Sequence, residues 1–306
     1  MRAIFLAFAA LLLAPAHAHA GEIETIRLWP GEAPGSGRPE GPERIGTEGI
    51  ATGAYTNISV PRMEVYRPEN PNGAAVLVLG GGGYFRIQIG GAARPVARWL
   101  QERGVTAFVL FYRLPGDGWN ADAPFQDGQR AMRLIRAEAA RLGIDPARVG
   151  VIGSSAGGHL GGILATLGDR PFYSTVDTAD AQPARPDFAG LIYPVISLAP
   201  PLDTTRTARH LRPLPDSVAA FSVERHVSGD TPPVFLAHAA DDAVADVGHS
   251  LAMLTAMRAV GRPVELHIFQ RGGHSWGLGA PGSEVSAWPE LFAAWLRAGG
   301  LLQAEH

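Results

Sequence analysis

The chain has 306 residues, 46% apolar and 18% charged, enough to bury a sizeable core. Its net charge of -3 gives no electrostatic reason to expect nucleic acid or an anionic membrane surface as partner. There is no Cys and all 26 basic residues are Arg, which excludes disulfides, a thiolate nucleophile, cysteine-bound metal clusters, a lysine Schiff base and a P-loop lysine.

Met1-Arg2 is a short positive start, followed by an apolar run from Ala3 to Ala14. Ala18-His19-Ala20 then places small residues at both positions a signal peptidase reads. The run falls short of the roughly 20 apolar residues a membrane span needs. The pattern predicts a signal peptide over residues 1–20, cleavage after Ala20, and a periplasmic or secreted mature chain, residues 21–306, without a membrane span.

Residues 21–60 are rich in Gly, Pro and Glu and read as a wrapped arm with one strand, Glu22–Trp29. Met63–Tyr66 reads as an edge strand closed by Pro68. Short β-branched and aromatic runs then recur at Ala75–Leu79, Ala107–Tyr112, Val149–Ile152, Phe188–Tyr193, Val234–His238 and Val264–Phe269. Helical patterns lie between most of them. The clearest is Asp127–Leu142, with Ala131, Leu134, Ile135, Ala139 and Leu142 on one face and Glu138 interrupting it. Others begin near Pro95, Ala156, Val247 and Trp288. Alternating strands and helices predict an α/β fold: one domain with a mostly parallel, twisted sheet and helices on both faces.

Val149–Ile152 runs straight into Gly153-Ser154-Ser155-Ala156-Gly157, and the residues after it look helical. This is G-x-S-x-G in the strand–turn–helix setting that gives the motif its meaning. Side chains two before and two after the serine would strike neighbouring backbone, so both positions need glycine. Ser155 is therefore held out at a helix N-terminus, where developing negative charge is favoured. A serine hydroxyl is a poor nucleophile until a base takes its proton, so a histidine oriented by a carboxylate must follow. Asp241-Asp242 follows the strand Val234–His238, and Gly272-Gly273-His274 follows the strand Val264–Phe269. His274 is assigned as general base and acid and Asp241 as its carboxylate, with Asp242 the rival. The oxyanion donors are expected to be the Ala156 amide and those of Gly81 or Gly82, in the glycine run Gly80–Gly83 after a strong strand.

With these elements in place, the sequence resembles the α/β-hydrolase superfamily. More narrowly, it looks like the acetyl xylan esterase and feruloyl-esterase-like carbohydrate esterases. The resemblance rests on Gly81–Tyr84, Tyr112–Pro115, Gly143–Val149, Gly153–Leu160, Arg185–Phe188 with Tyr193-Pro194, Thr231–Pro233 leading to His238–Asp242, and Gly272–Leu278. It implies Ser155, Asp241 and His274 as triad and Gly81, Gly82 and Ala156 as oxyanion donors. It also implies a serine esterase that needs no cofactor and acts on an acylated carbohydrate, most narrowly O-acetyl groups on xylan. Alternatives are a small-molecule carboxylesterase or feruloyl esterase, a prolyl-oligopeptidase-like peptidase, and a non-catalytic carbohydrate-binding relative.

Tyr84 and Trp276 are expected to contact substrate, and Thr204–Ala220 to form a lid or substrate wall. His159 reads as a packed, hydrogen-bonded histidine, and Arg113 with Asp127 as a structural ion pair. His210, His226, His238 and His249 lack metal-ligand spacing, so no metal site is predicted.

Overall fold

Ala75–Leu79 has no polar position, and a strand apolar on both faces must be covered on both sides. The computed structural model, which describes residues 23–302, puts this strand inside an eight-stranded sheet. The strands are β1 (Glu24–Arg27), β2 (Arg44–Ile45), β3 (Ala54–Thr56), β4 (Arg62–Tyr66), β5 (Ala75–Leu79), β6 (Ile87–Gln88), β7 (Thr106–Phe111), β8 (Val149–Ser154), β9 (Ala189–Ile192), β10 (Val234–Ala239) and β11 (Val264–Phe269). The helices are α1 (Arg94–Glu102), α2 (Ala123–Ala137), α3 (Ala139–Leu142), α4 (Ala156–Leu167), α5 (Arg206–Leu211), α6 (Ser217–Phe221), α7 (Gly248–Ala259) and α8 (Trp288–Ala298). The large sheet runs β1-β4-β7-β5-β8-β9-β10-β11, antiparallel across β1, β4 and β7 and parallel from β7 to β11.

Helices cover both faces. Trp99 of α1 packs at a tilt against Trp288 and Phe292 of α8, while α2 meets α4 where Gly128 leaves room for Leu160 and Leu164. β5, β7 and β10 are buried at every position, and each large apolar side chain removed from water contributes roughly 1.5–3 kcal/mol. The α/β arrangement expected from the sequence is the one found, and the proposed signal peptide, residues 1–20, lies outside the described residues. No helix among the described residues is long and apolar enough to cross a membrane.

Three elements differ from the sequence reading. Met63–Tyr66, expected at an edge, lies inside the sheet as β4, paired by β1 on one side and β7 on the other. The predicted helix Asp127–Leu142 starts earlier, at Ala123 with Pro124 in its first turn, and breaks at Glu138 into α2 and α3. Glu138 leaves the helical conformation there and pairs with Arg141. The arm carries more than one strand, because β2 and β3 pair with β6 in a separate three-stranded sheet. Strands of two or three residues leave no alternating pattern to read. The arm is tied down by buried charge. Asp127 accepts Trp29 Nε1 at 2.9 Å and the Arg113 amide at 2.8 Å, and pairs with the Arg113 guanidinium, both side chains fully buried. Arg130 Nε reaches the Leu28 carbonyl at 2.9 Å.

His159 of α4 is also fully buried, with Nδ1 3.0 Å from the Tyr84 hydroxyl and Nε2 2.9 Å from the Phe221 carbonyl. A neutral ring satisfies both contacts, donating from Nε2 and accepting at Nδ1. Burial pushes its pKa down from 6.5 to about 4, against the pull of the Phe221 carbonyl. Between those values the unfolded chain binds a proton that the folded chain refuses. This stabilisation is complete above pH 6.5 and is lost as pH falls towards about 4. Urea unfolding at neutral and mildly acid pH should therefore show a loss of stability in acid. In His159→Gln that loss should shrink by roughly 1–3 kcal/mol, and an unchanged pH slope would contradict the assignment.

Candidate active site

The register of β5 against β8 pairs Leu79 with Gly153, so the glycine run after β5 and the turn after β8 leave the sheet side by side. The turn is tight enough to demand both glycines. A Cβ on Gly153 would lie 2.1 Å from the Gly157 carbonyl, and one on Gly157 would lie 2.1 Å from the Leu79 carbonyl. Between them Ser155 takes φ 55° and ψ -118°, a conformation costing a non-glycine residue about 1–3 kcal/mol. Three backbone bonds hold it: the Ser155 amide donates to Ile192, and the Ser155 carbonyl accepts from His159 and Val195, at 3.0, 3.0 and 3.2 Å.

β10 and β11 run in register to Ala239 and Phe269, so the two loops that follow also emerge together. His274 Nε2 lies 2.9 Å from Ser155 Oγ, and His274 Nδ1 lies 2.6 Å from Asp242 Oδ2. The carboxylate facing the histidine is thus Asp242, and the choice of Asp241 is corrected. Asp241 is exposed and points the other way, accepting the Gly272 and Gly273 amides at 2.9 and 2.7 Å and so shaping the loop before His274. The Asp242 side chain is fully buried, its Oδ1 accepting the Val244 and Ala245 amides at 2.8 and 2.9 Å and its Oδ2 lying 3.4 Å from His238 Nε2. Burial works against its ionisation, but the contacts from His238, His274 and the Ala245 amide outweigh this and hold the carboxyl well below the usual range. A carboxylate accepting from the amides two and three residues onward is an Asx-turn signature, and it fixes the Asp242 carboxylate towards His274.

The glycine run lies against the elbow. A Cβ on Gly81 would come within 2.9 Å of Ser155 Cβ. Tyr112, fully buried, braces the run by donating its hydroxyl to the Gly80 carbonyl at 2.7 Å. The Gly81 amide itself donates to Ser154 Oγ at 3.2 Å, which engages one of the three expected oxyanion donors. Gly82 follows at φ 133°, open only to glycine. Ala156 opens α4, so its amide has no carbonyl within the helix to bond.

Tyr84 and Trp276 do not stand where a substrate contact was expected. Tyr84 is fully buried, spent on His159 and packed edge-on against Tyr112 and Phe125. Trp276 stands behind the histidine loop, its Nε1 donating to the Gly273 carbonyl at 3.1 Å and its ring 4.4 Å from Tyr193. Tyr193, which the site reading passed over, lies edge-on to the His274 ring at 4.8 Å and lines the cleft. The cleft above Ser155 has a volume of about 970 Å³. One wall comes from Thr204–Thr207 and Arg209, within the expected Thr204–Ala220 segment, and the other from Ile50, Thr52, Phe85 and Arg86. A serine hydroxyl facing an imidazole that a buried carboxylate orients can lose its proton as it attacks an acyl carbon.

The chain matches the BD-FAE family over residues 63–257. It is 30% identical over 226 residues to an acetylxylan esterase of Xylanibacter ruminicola, covering 71% of this chain and 44% of that protein. It is 33% identical over 203 residues to endo-1,4-beta-xylanase B of Butyrivibrio fibrisolvens, covering 65% of this chain and 32% of that one. The chain therefore spans less than half the length of either relative. Among solved structures it resembles an acetyl ester-xyloside bifunctional hydrolase from Caldicellulosiruptor lactoaceticus, with a TM-score of 0.76 and 34% identity over 92% of this chain and 97% of that one.

The two aspartates make different predictions for turnover of p-nitrophenyl acetate. Asp242→Asn should lower kcat by about 10³–10⁴, because the imidazole loses its orienting charge. Asp241→Asn should cost no more than about ten-fold, since the change loosens a loop and leaves the His274 contact in place. The reverse ranking would return the role to Asp241.

Proposed function

The chain belongs to the BD-FAE family, and from that membership and the site geometry we propose a serine esterase that removes O-acetyl groups from xylan. The observation that carries the chemistry is the line Asp242–His274–Ser155, with contacts of 2.6 and 2.9 Å. Ser155 Oγ attacks the ester carbonyl while His274 Nε2 takes its proton. The negative charge on the carbonyl oxygen meets the amides of Gly82 and Ala156. His274 then protonates the departing sugar hydroxyl, leaving the acetyl group on Ser155. Water, deprotonated by the same nitrogen, attacks that ester and releases acetate and the free serine.

Two likenesses support the substrate: one to the acetylxylan esterase of Xylanibacter, and one to the acetyl ester-xyloside hydrolase of Caldicellulosiruptor, which this chain matches over nearly all of that protein's length. The three site loops all leave one sheet, which supports reading residues 21–306 as a single catalytic unit. Export after cleavage at Ala20 completes the reading and rests on the Met1–Ala20 pattern.

The test is acetate release from acetylated xylan by residues 21–306, with Ser155→Ala beside it. Release should be abolished in the variant, with its thermal unfolding unchanged within a few degrees. Hydrolysis of p-nitrophenyl acetate without release from xylan would keep the esterase and remove xylan as its substrate. Equal activity in the variant would remove Ser155 as nucleophile.

A further inference from the structure

Arg86 and Arg206 come from segments 120 positions apart, yet their guanidinium groups approach the same ring, 4.9 and 4.5 Å from the Phe85 centroid. Both line the cleft over Ser155. Both also root beside the glycine run: a Cβ on Gly82 would lie 2.9 Å from Arg86 Cγ, and one on Gly83 would lie 2.9 Å from Arg206 Cβ. Arg206 opens α5 and Thr205 caps that helix, its Oγ1 accepting the Ala208 amide at 3.1 Å.

This pairing breaks the molecule's habit. Arg62, Arg94, Arg113, Arg130 and Arg136, all buried or half-buried, each meet a carboxylate within 3 Å. Among the described residues neither Arg86 nor Arg206 has an acidic side chain within 4 Å, and the buried Nε of Arg86 has no hydrogen-bond partner. Burial, and then the charge of Arg206, both lower the Arg86 pKa, and no carboxylate opposes them. Asp241, the carboxylate that lines the cleft, belongs to the histidine loop and already accepts the Gly272 and Gly273 amides. Half-buried Arg86 thus lies beside a second cation with no carboxylate to offset the two, an arrangement that favours an anion arriving with a ligand.

We propose that Arg86 and Arg206 form a subsite for a carboxylate carried by the substrate, so that the preferred ester bears a negative charge close to its acyl group. The planar, multi-donor guanidinium suits a carboxylate, and both groups pack against the Phe85 ring. The carboxylate has two sources within ester chemistry: a uronic acid on the alcohol side, or the free end of a dicarboxylic half-ester on the acyl side. The proposal rests on the esterase reading above.

The experiment measures kcat/KM for two matched pairs of esters with the full chain, Arg86→Gln and Arg206→Gln. Acetylated xylo-oligosaccharides with and without a glucuronosyl branch probe the alcohol side. Mono-p-nitrophenyl glutarate and p-nitrophenyl butyrate probe the acyl side. In the wild type the charged member of one pair should be preferred, and each variant should lower that charged-to-neutral ratio about ten-fold. The wild-type preference should also weaken between ~0.05 and ~0.5 M salt, and Arg206→Lys should recover part of it. Exposed Arg206 can be replaced with little risk to folding, so its ratio is the decisive one. Ratios unchanged in both variants for both pairs would overturn the subsite while leaving the esterase intact. A wild type that cleaves none of the four esters would overturn the esterase reading and the subsite with it.

Discussion

The structure depends on how closely backbone approaches backbone at the turn after β8. Gly157 stands where any side chain would strike the Leu79 carbonyl at 2.1 Å, and Gly153 where it would strike the carbonyl of Gly157. Because Leu79 ends β5, this contact locks the serine-bearing turn to the strand that feeds the glycine run. The position of Ser155 relative to Gly81 and Gly82 is thereby set by main-chain packing, which has no rotamers to lose. The strained φ of Ser155 is the local cost, borne by three backbone hydrogen bonds and by α4 behind it.

The parallel sheet extends that logic to the acid and the histidine. A parallel register delivers successive loops to one edge, and the pairing of β10 with β11 brings residues 32 apart in sequence to 2.6 Å. Behind this edge two buried polar networks brace the site loops. His159 bridges Tyr84 of the glycine loop to Phe221, while Asp127 joins Arg113 to Trp29 of the arm. Each buried charge or ring nitrogen in these networks has a partner, so the frame holds the site loops without leaving desolvated groups unmatched.

Most of the frame was legible in the sequence because each part carries its own physical signature. Ala75–Leu79 and Val264–Phe269 are strands over the predicted residues, and the two glycines around Ser155 announced the turn. The choice between Asp241 and Asp242 was not legible from type or spacing, since neighbouring residues in a turn face opposite ways. Tyr84 was misread because an aromatic beside a glycine run looks exposed, whereas its φ of 62° turns the ring inward to His159. The convergence of Arg86 and Arg206 left no trace in either local sequence. Their meeting at Phe85 is a product of tertiary packing.

Floor and walls of the cleft are built by different means, and this bears on how such a protein can change. The floor is held by main-chain contacts that tolerate no added atom at Gly153 or Gly157. The walls come from the Ile50–Thr52 turn, the Phe85-Arg86 pair and the Thr204–Arg209 segment, where Ile50, Arg206 and Arg209 are exposed. Substitutions there alter which molecule fits without moving the serine, the imidazole or the carboxylate. Diversification of such a chain is thus channelled into its rim: new ligands can be accepted one wall residue at a time, while the reaction at the centre stays the same.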